Sequence, residues 1–406
     1  MKHVIIGSGA AGIYAAKTIR GQRESDEIVI ISTDEAVYSR CMLYKFIGNE
    51  RSETELSFLP DDFFEKNNIR HLSGITVTGI DTSGKNVLFE SGKESYDLLL
   101  IATGSIGGIP PISGLKGAKN VCTLDDLPDA KAIKAKAPGS KNIIIIGAGL
   151  VGLDAAHGLL KMGKKPVVVE MANFVLPENL DAHAASTYQS EFEKEGCVFR
   201  LGSRVSSVGV NAGGAVENIT LNDTETLPCD LLIVAAGKIP NIGFLKNSKI
   251  NITRAVPVDQ YLRTNIPGIY AAGDVTGLSG NWPNAVLQGE IAGHNMCGHQ
   301  TEYDETLSRK TTINFFGISS LSIGTVTSSE GDVIHIREDR TRYEKIVTRN
   351  GTPIGVLLQG NIARGGFWQH LVKNEVNISD ISKPIWKISF ADAYGLEPSG
   401  QYVWGR

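Results

Sequence analysis

Cysteine is scarce and odd in number, with Cys41, Cys122, Cys197, Cys229 and Cys297 the only five in a chain of 406 residues. Their spacing fits no CxxC motif, zinc ribbon or disulfide framework, so a reducing compartment is expected. An excess of one charge is also lacking. Lys and Arg number 40 against 44 Asp and Glu, a net charge of −4, and no basic run offers a track for nucleic acid or an anionic membrane. The eight histidines show no HxxxH or related spacing, and no metal site is expected. Unbroken apolar runs are missing too. Ile143 to Leu160 is interrupted by Gly147, Gly149, Gly152, Asp154, His157 and Gly158, and Val4 to Ala16 carries three spaced glycines. Neither reads as a membrane span or a signal peptide, and a cytoplasmic protein without a membrane partner is expected.

Glycine is what the chain has in excess. Its 45 residues are about 11% of the sequence against roughly 7% in ordinary proteins, an excess that marks tight turns and backbone lying close to a ligand. Two segments repeat one pattern of apolar β run, glycine-rich turn, Ala- and Leu-rich helix and second β run. The first is HVIIGSGAAGIYAAKTI (3–19) leading to EIVIIS (27–32), and the second is NIIIIGAGLVGLDAAHGLL (142–160) leading to PVVVE (166–170). The duplication implies two nucleotide-binding βαβ domains. Alternating runs follow each unit, at 76–81 and 86–91 and again at 205–210 and 217–222, and read as appended meanders. Each half closes on an acidic residue and an apolar strand ending in small residues, YDLLLIATGS (96–105) and CDLLIVAAGK (229–238), which leaves room for a ligand over the sheet. GGIPPISG (107–114) reads as a crossover between domains. Beyond about residue 310, strand-like runs such as YEKIVT (343–348) and IGVLLQ (354–359) suggest a third, α+β domain.

Gly7, Gly9 and Gly12 form GxGxxG between a strand and a helix. In that setting the first glycine turns the chain, the second admits a pyrophosphate and the third lets helix meet strand. Gly147, Gly149 and Gly152 repeat the motif in the same context. Glu170 stands roughly 20 residues beyond the second motif, where a carboxylate can accept both hydroxyls of an adenosine ribose. No Arg or Lys follows it at 171–173 to hold a 2′-phosphate, so NADH is expected over NADPH. The matching position in the first unit is Ser32, with Asp34 and Glu35 just beyond.

With these motifs in order, the chain resembles the FAD-dependent pyridine nucleotide-disulfide oxidoreductase superfamily from residue 1 to about 300. The fingerprints are the first GxGxxG, the Ala102-Thr103-Gly104 turn and TNIPGIYAAGDV (264–275), whose Gly273 and Asp274 would by resemblance hold the FAD ribityl and phosphate; the second GxGxxG would bind NADH. The resemblance implies an α/β chain with two Rossmann-like domains, the NAD-binding one (108–240) inserted between the parts of the FAD-binding one (1–107 and 241–310), and a C-terminal α+β interface domain (311–406). Candidate cofactor contacts under it are Gly7, Gly9, Ala10, Ala11, Gly12, Asp34, Arg40, Lys45, Val77, Ala102, Thr103, Gly104, Gly273 and Asp274 for FAD. For NADH they are Gly147, Gly149, Leu150, Val151, Gly152, Glu170 and Gly237.

VYSRCMLYKFIGNE (37–50) has one cysteine, Cys41, where dithiol reductases of the superfamily have two. YSRCML is more similar to the NADH:rubredoxin reductases and the flavoprotein module of NADH-dependent nitrite reductases. RCMLYK (40–45) also resembles a pattern of oxygenase-coupled ferredoxin reductases in which a lysine beside the flavin pairs with a carboxylate. Lys45 and Asp154 would be that pair here, and with Cys41 they are the candidate catalytic residues. Electron transfer from NADH through FAD to a redox protein or partner subunit is the expected function, and a homodimer is compatible with it. The alternatives are a reductase of coenzyme A disulfide, persulfide or polysulfide working through Cys41, and a redox sensor similar to apoptosis-inducing factor. Trp368 and Trp404 are expected to pack at an interface.

Overall fold

The structure is a computed structural model that describes residues 1–278, 280–304 and 310–404; the side chains of Tyr394, Tyr402 and Trp404 lie outside the described residues. The chain divides into two compact units, Met1–Val169 with Ser203–Asp304, and Glu170–Gly202 with the described part of Glu305–Arg406.

The first unit holds two parallel sheets. One runs in the order Ile269–Ala271, Leu98–Ile101, Lys2–Ile6, Glu27–Ile31, Ile69–Leu72, with Val4 level with Val29 on one side and Leu99 on the other. The second carries Val121–Cys122, Leu231–Val234, Ile143–Ile146 and Val167–Val169 in that order, all parallel. These strands read as unbroken apolar runs because a parallel sheet is covered on both faces. Val4, Ile5, Ile30, Leu100, Ile144 and Ile145 are each at most 1% exposed, and each such side chain contributes roughly 1.5–3 kcal/mol.

Helix Ala10–Gln22 follows the first strand, and helix Trp282–Met296 lies along it. Contact this close needs glycine. A Cβ at Gly289 would overlap the Ala11 carbonyl, and one at Gly293 would stand 2.9 Å from the Ala15 carbonyl. The meanders are three-stranded antiparallel sheets, Val77–Asp81 with Asn86–Phe89 and Gly92–Ser95, and Val205–Val210 with Val216–Leu221 and Glu225–Pro228. The two crossovers between the parallel sheets pair with each other, Ser105–Gly107 against Lys238–Pro240. Among the described residues no helix is long and apolar enough to cross a membrane.

In the second unit an antiparallel sheet runs Lys310–Phe315, Ile318–Gly324, Thr352–Gln359, Arg342–Arg349, Val333–Asp339. Helix Gly365–Lys373 covers it with Phe367, Trp368 and Leu371 against Leu321, Val356 and Leu358. Trp368 is thus core, 1% exposed. Helix Ala182–Lys194 joins this unit although the sequence motifs group it with the second nucleotide half. The Tyr188 hydroxyl donates to Ser320 Oγ at 2.9 Å, Gln359 Nε2 donates to the Ala184 carbonyl at 2.9 Å, and Asp181, which caps the helix by accepting Ala184 N–H, also accepts from Tyr343 and Lys345.

Candidate functional site

The two glycine turns are superposable in their chemistry. Gly7 has φ +108° and Gly147 φ +102°, left-handed values a side chain rarely adopts, and their N–H groups donate to the Ile31 and Val169 carbonyls, both at 2.8 Å. A Cβ on Gly7 would overlap the Ala102 carbonyl and one on Gly147 the Ala235 carbonyl, while Cβ atoms on Gly12 and Gly152 would overlap the carbonyls of Gly7 and Gly147. The middle glycines differ. Gly9 and Gly149 share φ −74°, ψ −172°, have no protein atom within 4 Å of a built Cβ, and cap their helices without a side-chain bond. Neither helix has an acid in its first turn. Each loop is therefore closed where the chain packs and open at its middle glycine, beside the positive end of the helix dipole, which suits an anionic diphosphate. Ala10 and Ala11 are buried in the first helix and Leu150 and Val151 half-buried in the second.

Gly273, at φ +83°, opens the turn that follows strand Ile269–Ala271. Its N–H donates to Gln288 Oε1 at 2.7 Å, and Asp274 Oδ2 accepts the Ser105 hydroxyl at 2.7 Å. Ala102 N–H donates to the Ile6 carbonyl, and the Thr103 hydroxyl to the Asn241 carbonyl at 2.9 Å. Gly104 and Gly237 have positive φ and open space at Cβ. Apart from Gly237, which follows strand Leu231–Val234 of the second sheet, these residues stand at the carboxyl ends of the first sheet, where α/β folds take ligands.

Cys41 lies in the short turn Arg40–Met42 and Lys45 in the helix Leu43–Ile47, which packs on helix Leu150–Lys161 where a Cβ at Gly158 would stand 2.7 Å from the Tyr44 carbonyl. Cys41 is exposed, yet surrounding protein pushes its thiol up to about 11; burial is the main cause, the Asp154 carboxylate adds to it and Lys238 opposes it. Burial also holds the Asp154 carboxyl well above the usual carboxylate range, with Lys238 partly offsetting it. The expected pair of Lys45 with Asp154 is not formed. Lys45 Nζ stands 5.9 Å from the centroid of the Tyr44 ring, among the described residues Asp154 makes no ion pair, and the cation that acts on it is Lys238, held at 2.9 Å by Asp125. A five-residue helix directs Lys45 along Tyr44, whereas the crossover strand brings Lys238 toward Asp154 and Cys41.

Asp34 is already occupied, accepting from Arg40 and from the Tyr38 hydroxyl, each at 2.8 Å, while Arg40 also reaches the Asp125 carbonyl. Val77 is half-buried at the start of the first meander and packs at the edge of the core. Glu170, the residue after strand Val167–Val169, accepts Ala172 N–H at 2.8 Å.

A family model for pyridine nucleotide-disulphide oxidoreductase matches residues 1–289. The chain belongs to the pyridine nucleotide-disulphide oxidoreductase family. It is 30% identical over 389 residues to nitrite reductase (NAD(P)H) of Bacillus subtilis, covering 94% of this chain and 48% of that one, so it spans about half the length of that relative. It is 34% identical over 329 residues to NADH oxidase of Methanocaldococcus jannaschii, covering 76% and 72%. Among solved structures, NADH:rubredoxin oxidoreductase from Clostridium acetobutylicum is 25% identical, with a TM-score of 0.75 and 94% and 97% of the two chains covered. FAD and NADH are the cofactors of this family.

The residues present fit both dinucleotides. A pyridine nucleotide-disulphide oxidoreductase needs two diphosphate cradles, and the open sides of Gly9 and Gly149 are the two places where the strand-turn-helix loops have room. Two further polar residues stand with the predicted ones and carry little signal in the sequence. Lys238 immediately follows Gly237 in AAGK, and Gln288 is a polar residue on an otherwise small and apolar helix face with Ala285, Gly289 and Ala292.

Proposed function

We propose that this chain is an NADH-dependent FAD oxidoreductase that delivers electrons to a small redox protein or a partner subunit. FAD, when bound, supplies the conversion between a two-electron donor and one-electron acceptors. The Gly7–Gly12 loop and the N-terminus of helix Ala10–Gln22 would hold its diphosphate, and Gly273 and Asp274 its ribityl chain. Ser105 fixes the Asp274 carboxylate for that role. The Gly147–Gly152 loop would hold the NADH diphosphate, and Glu170 would accept the adenosine ribose hydroxyls and repel a 2′-phosphate.

The observation that carries this reading is Cys41. It has no second cysteine beside it to resolve a mixed disulfide, and the protein around it pushes its thiol up, which makes it a poorer nucleophile toward a disulfide than a free thiol. That favours an exit for electrons through the flavin itself over a thiol relay. Lys238 and Asp154 both act electrostatically on Cys41.

The test is NADH oxidation by the purified protein with rubredoxin, ferredoxin, oxygen, coenzyme A disulfide and polysulfide as acceptors. Fast turnover with rubredoxin or ferredoxin, kept in Cys41→Ser, is expected. Turnover confined to coenzyme A disulfide or polysulfide and lost in Cys41→Ser would replace this reading with the thiol-linked one, and slow turnover with every acceptor would favour a sensor.

A further inference from the structure

The antiparallel sheet of the second unit ends on strand Val333–Asp339. Its inner side pairs with Arg342–Arg349 without a register shift, from Val333 opposite Thr348 to Asp339 opposite Arg342. Its outer side pairs with no other strand among the described residues. Seven residues of sheet edge thus present a row of backbone amides and carbonyls, which is a template for another strand.

Proteins ordinarily blunt such an edge with a proline, a bulge, a lysine or another solvated charge. No proline, bulge or lysine interrupts VIHIRED (333–339), and the charges it carries are engaged within the chain. Arg337 Nε donates to Glu344 at 2.6 Å, Glu338 is bonded to His183 at 2.8 Å and Asp339 pairs with Arg342 at 2.7 Å. The apolar side chains are what remains open. Val333 is 54% exposed, Ile334 46% and Ile336 56%, and Ile334 and Ile336, two residues apart, lie on one face of the strand.

The geometry points to a second copy of this chain as the occupant of that edge, the two Val333–Asp339 strands pairing antiparallel about a two-fold axis at His335. Ile334 and Ile336 stand one residue to either side of that axis, so each Ile334 meets the Ile336 of the other copy. Four isoleucines then form one row, of the kind of cross-strand pair that stabilises a sheet. The edge is self-complementary in this register, apolar against apolar, and it holds no unengaged charge by which an oppositely charged partner would be selected. His335, whose pKa burial lowers, meets its own counterpart at the axis in the neutral form. The two five-stranded sheets become one continuous sheet. A single strand pair buries less than the roughly 1,200–2,000 Å² of a stable interface, so the dimer dissociates on dilution. This inference goes beyond the proposed function and does not depend on it.

Sedimentation velocity of the purified protein over a dilution series reads the association. The double variant Ile334→Lys with Ile336→Lys tests the surface, because both positions are exposed and each lysine would face a lysine of the other copy. The expected result is a monomer–dimer equilibrium in the parent and a dimer dissociation constant raised at least tenfold in the variant, with the dilute monomer melting as the parent monomer does. A parent that stays monomeric throughout the series overturns the inference and leaves a strand of different sequence as the occupant. A dimer that the variant keeps within twofold also overturns it, since the contact then lies elsewhere. If the variant does not fold, amide hydrogen exchange in the unaltered protein decides. Protection of 333–339 that rises with protein concentration supports pairing at this edge, and protection independent of concentration overturns it.

Discussion

Replacing Gly9 and Gly12 by alanine, one at a time, separates the fold from the site within a single loop. Gly9 has φ −74°, open to any L-residue, and a Cβ there meets no protein atom. Alanine loses the N-cap preference of glycine, about 0.5–1 kcal/mol, and recovers about 0.4–1 kcal/mol from a less flexible unfolded chain. The net change is within about 1 kcal/mol, roughly 2–4 °C in melting temperature at most. The methyl group would however point into the proposed diphosphate site. Overpacking of that kind costs about 1–3 kcal/mol, which at 1.4 kcal/mol per decade is roughly 5- to 150-fold in FAD affinity. Gly12→Ala is the opposite case. Its Cβ would overlap the Gly7 carbonyl oxygen, a backbone atom that cannot swing aside, so the fold itself loses about 3 kcal/mol or more, roughly 6 °C or more. Thermal melting of the two apoproteins and FAD titration by flavin fluorescence check both halves. A Gly9→Ala protein that folds and binds FAD as the parent does would refute the diphosphate site, and a Gly12→Ala protein as stable as the parent would refute the packing account.

The Asp154 carboxyl gives a pH prediction with a definite sign. An unfolded Asp loses its proton near pH 3.9, whereas the folded group holds it to higher pH, so Asp154 subtracts stability from about pH 4 upward until it ionises in the folded state. Asp154→Asn should raise the apoprotein's melting temperature at pH 7 and leave it unchanged at pH 3; a lower value at pH 7 would show that the charged form is favoured. For Cys41, a pKa of about 11 leaves about 0.1% thiolate at pH 8, against roughly a quarter for a free thiol of pKa 8.5. Iodoacetamide should label this exposed residue in the apoprotein some hundredfold more slowly than free cysteine, followed by mass spectrometry, and labelling at the free rate would refute the assignment. Because Lys238 and not Lys45 acts on Asp154, a double-mutant cycle of Lys238→Met with Asp154→Asn should be non-additive in apoprotein stability, and the same cycle with Lys45→Met additive within about 0.3–0.5 kcal/mol; coupling only to Lys45 would reverse the choice.

The parts of this protein that the sequence determined by itself are those whose cause is local. A parallel strand buried on both faces must be apolar throughout, and a loop that turns sharply, admits a phosphate and lets a helix touch a strand has only glycine to use at three set positions. Both βαβ units, with Gly7–Gly12 and Gly147–Gly152, were legible for that reason, and the meanders were legible from their alternation. The family fingerprints around Ala102–Gly104 and Gly273–Asp274 were legible on the same terms.

What depends on distant segments meeting was decided only by the tertiary structure. Helix Ala182–Lys194 follows the second βαβ repeat in sequence, yet Tyr188, Asp181 and Ala184 bind Ser320, Tyr343 and Gln359 far along the chain, and no local pattern encodes those partners. Lys45 and Asp154 had the right types and an apt resemblance, but a side chain's direction is set by its helix and by what packs on it. The short helix sends Lys45 along Tyr44, while the pairing of Lys238–Pro240 with Ser105–Gly107 brings Lys238 to bear on Asp154 and Cys41. Asp34, one of the residues near the first ribose position, also accepts bonds from Arg40 and Tyr38, partners that only the fold reveals. Burial is likewise a property of the folded whole, and it is the main cause that pushes up the Cys41 thiol and the Asp154 carboxyl.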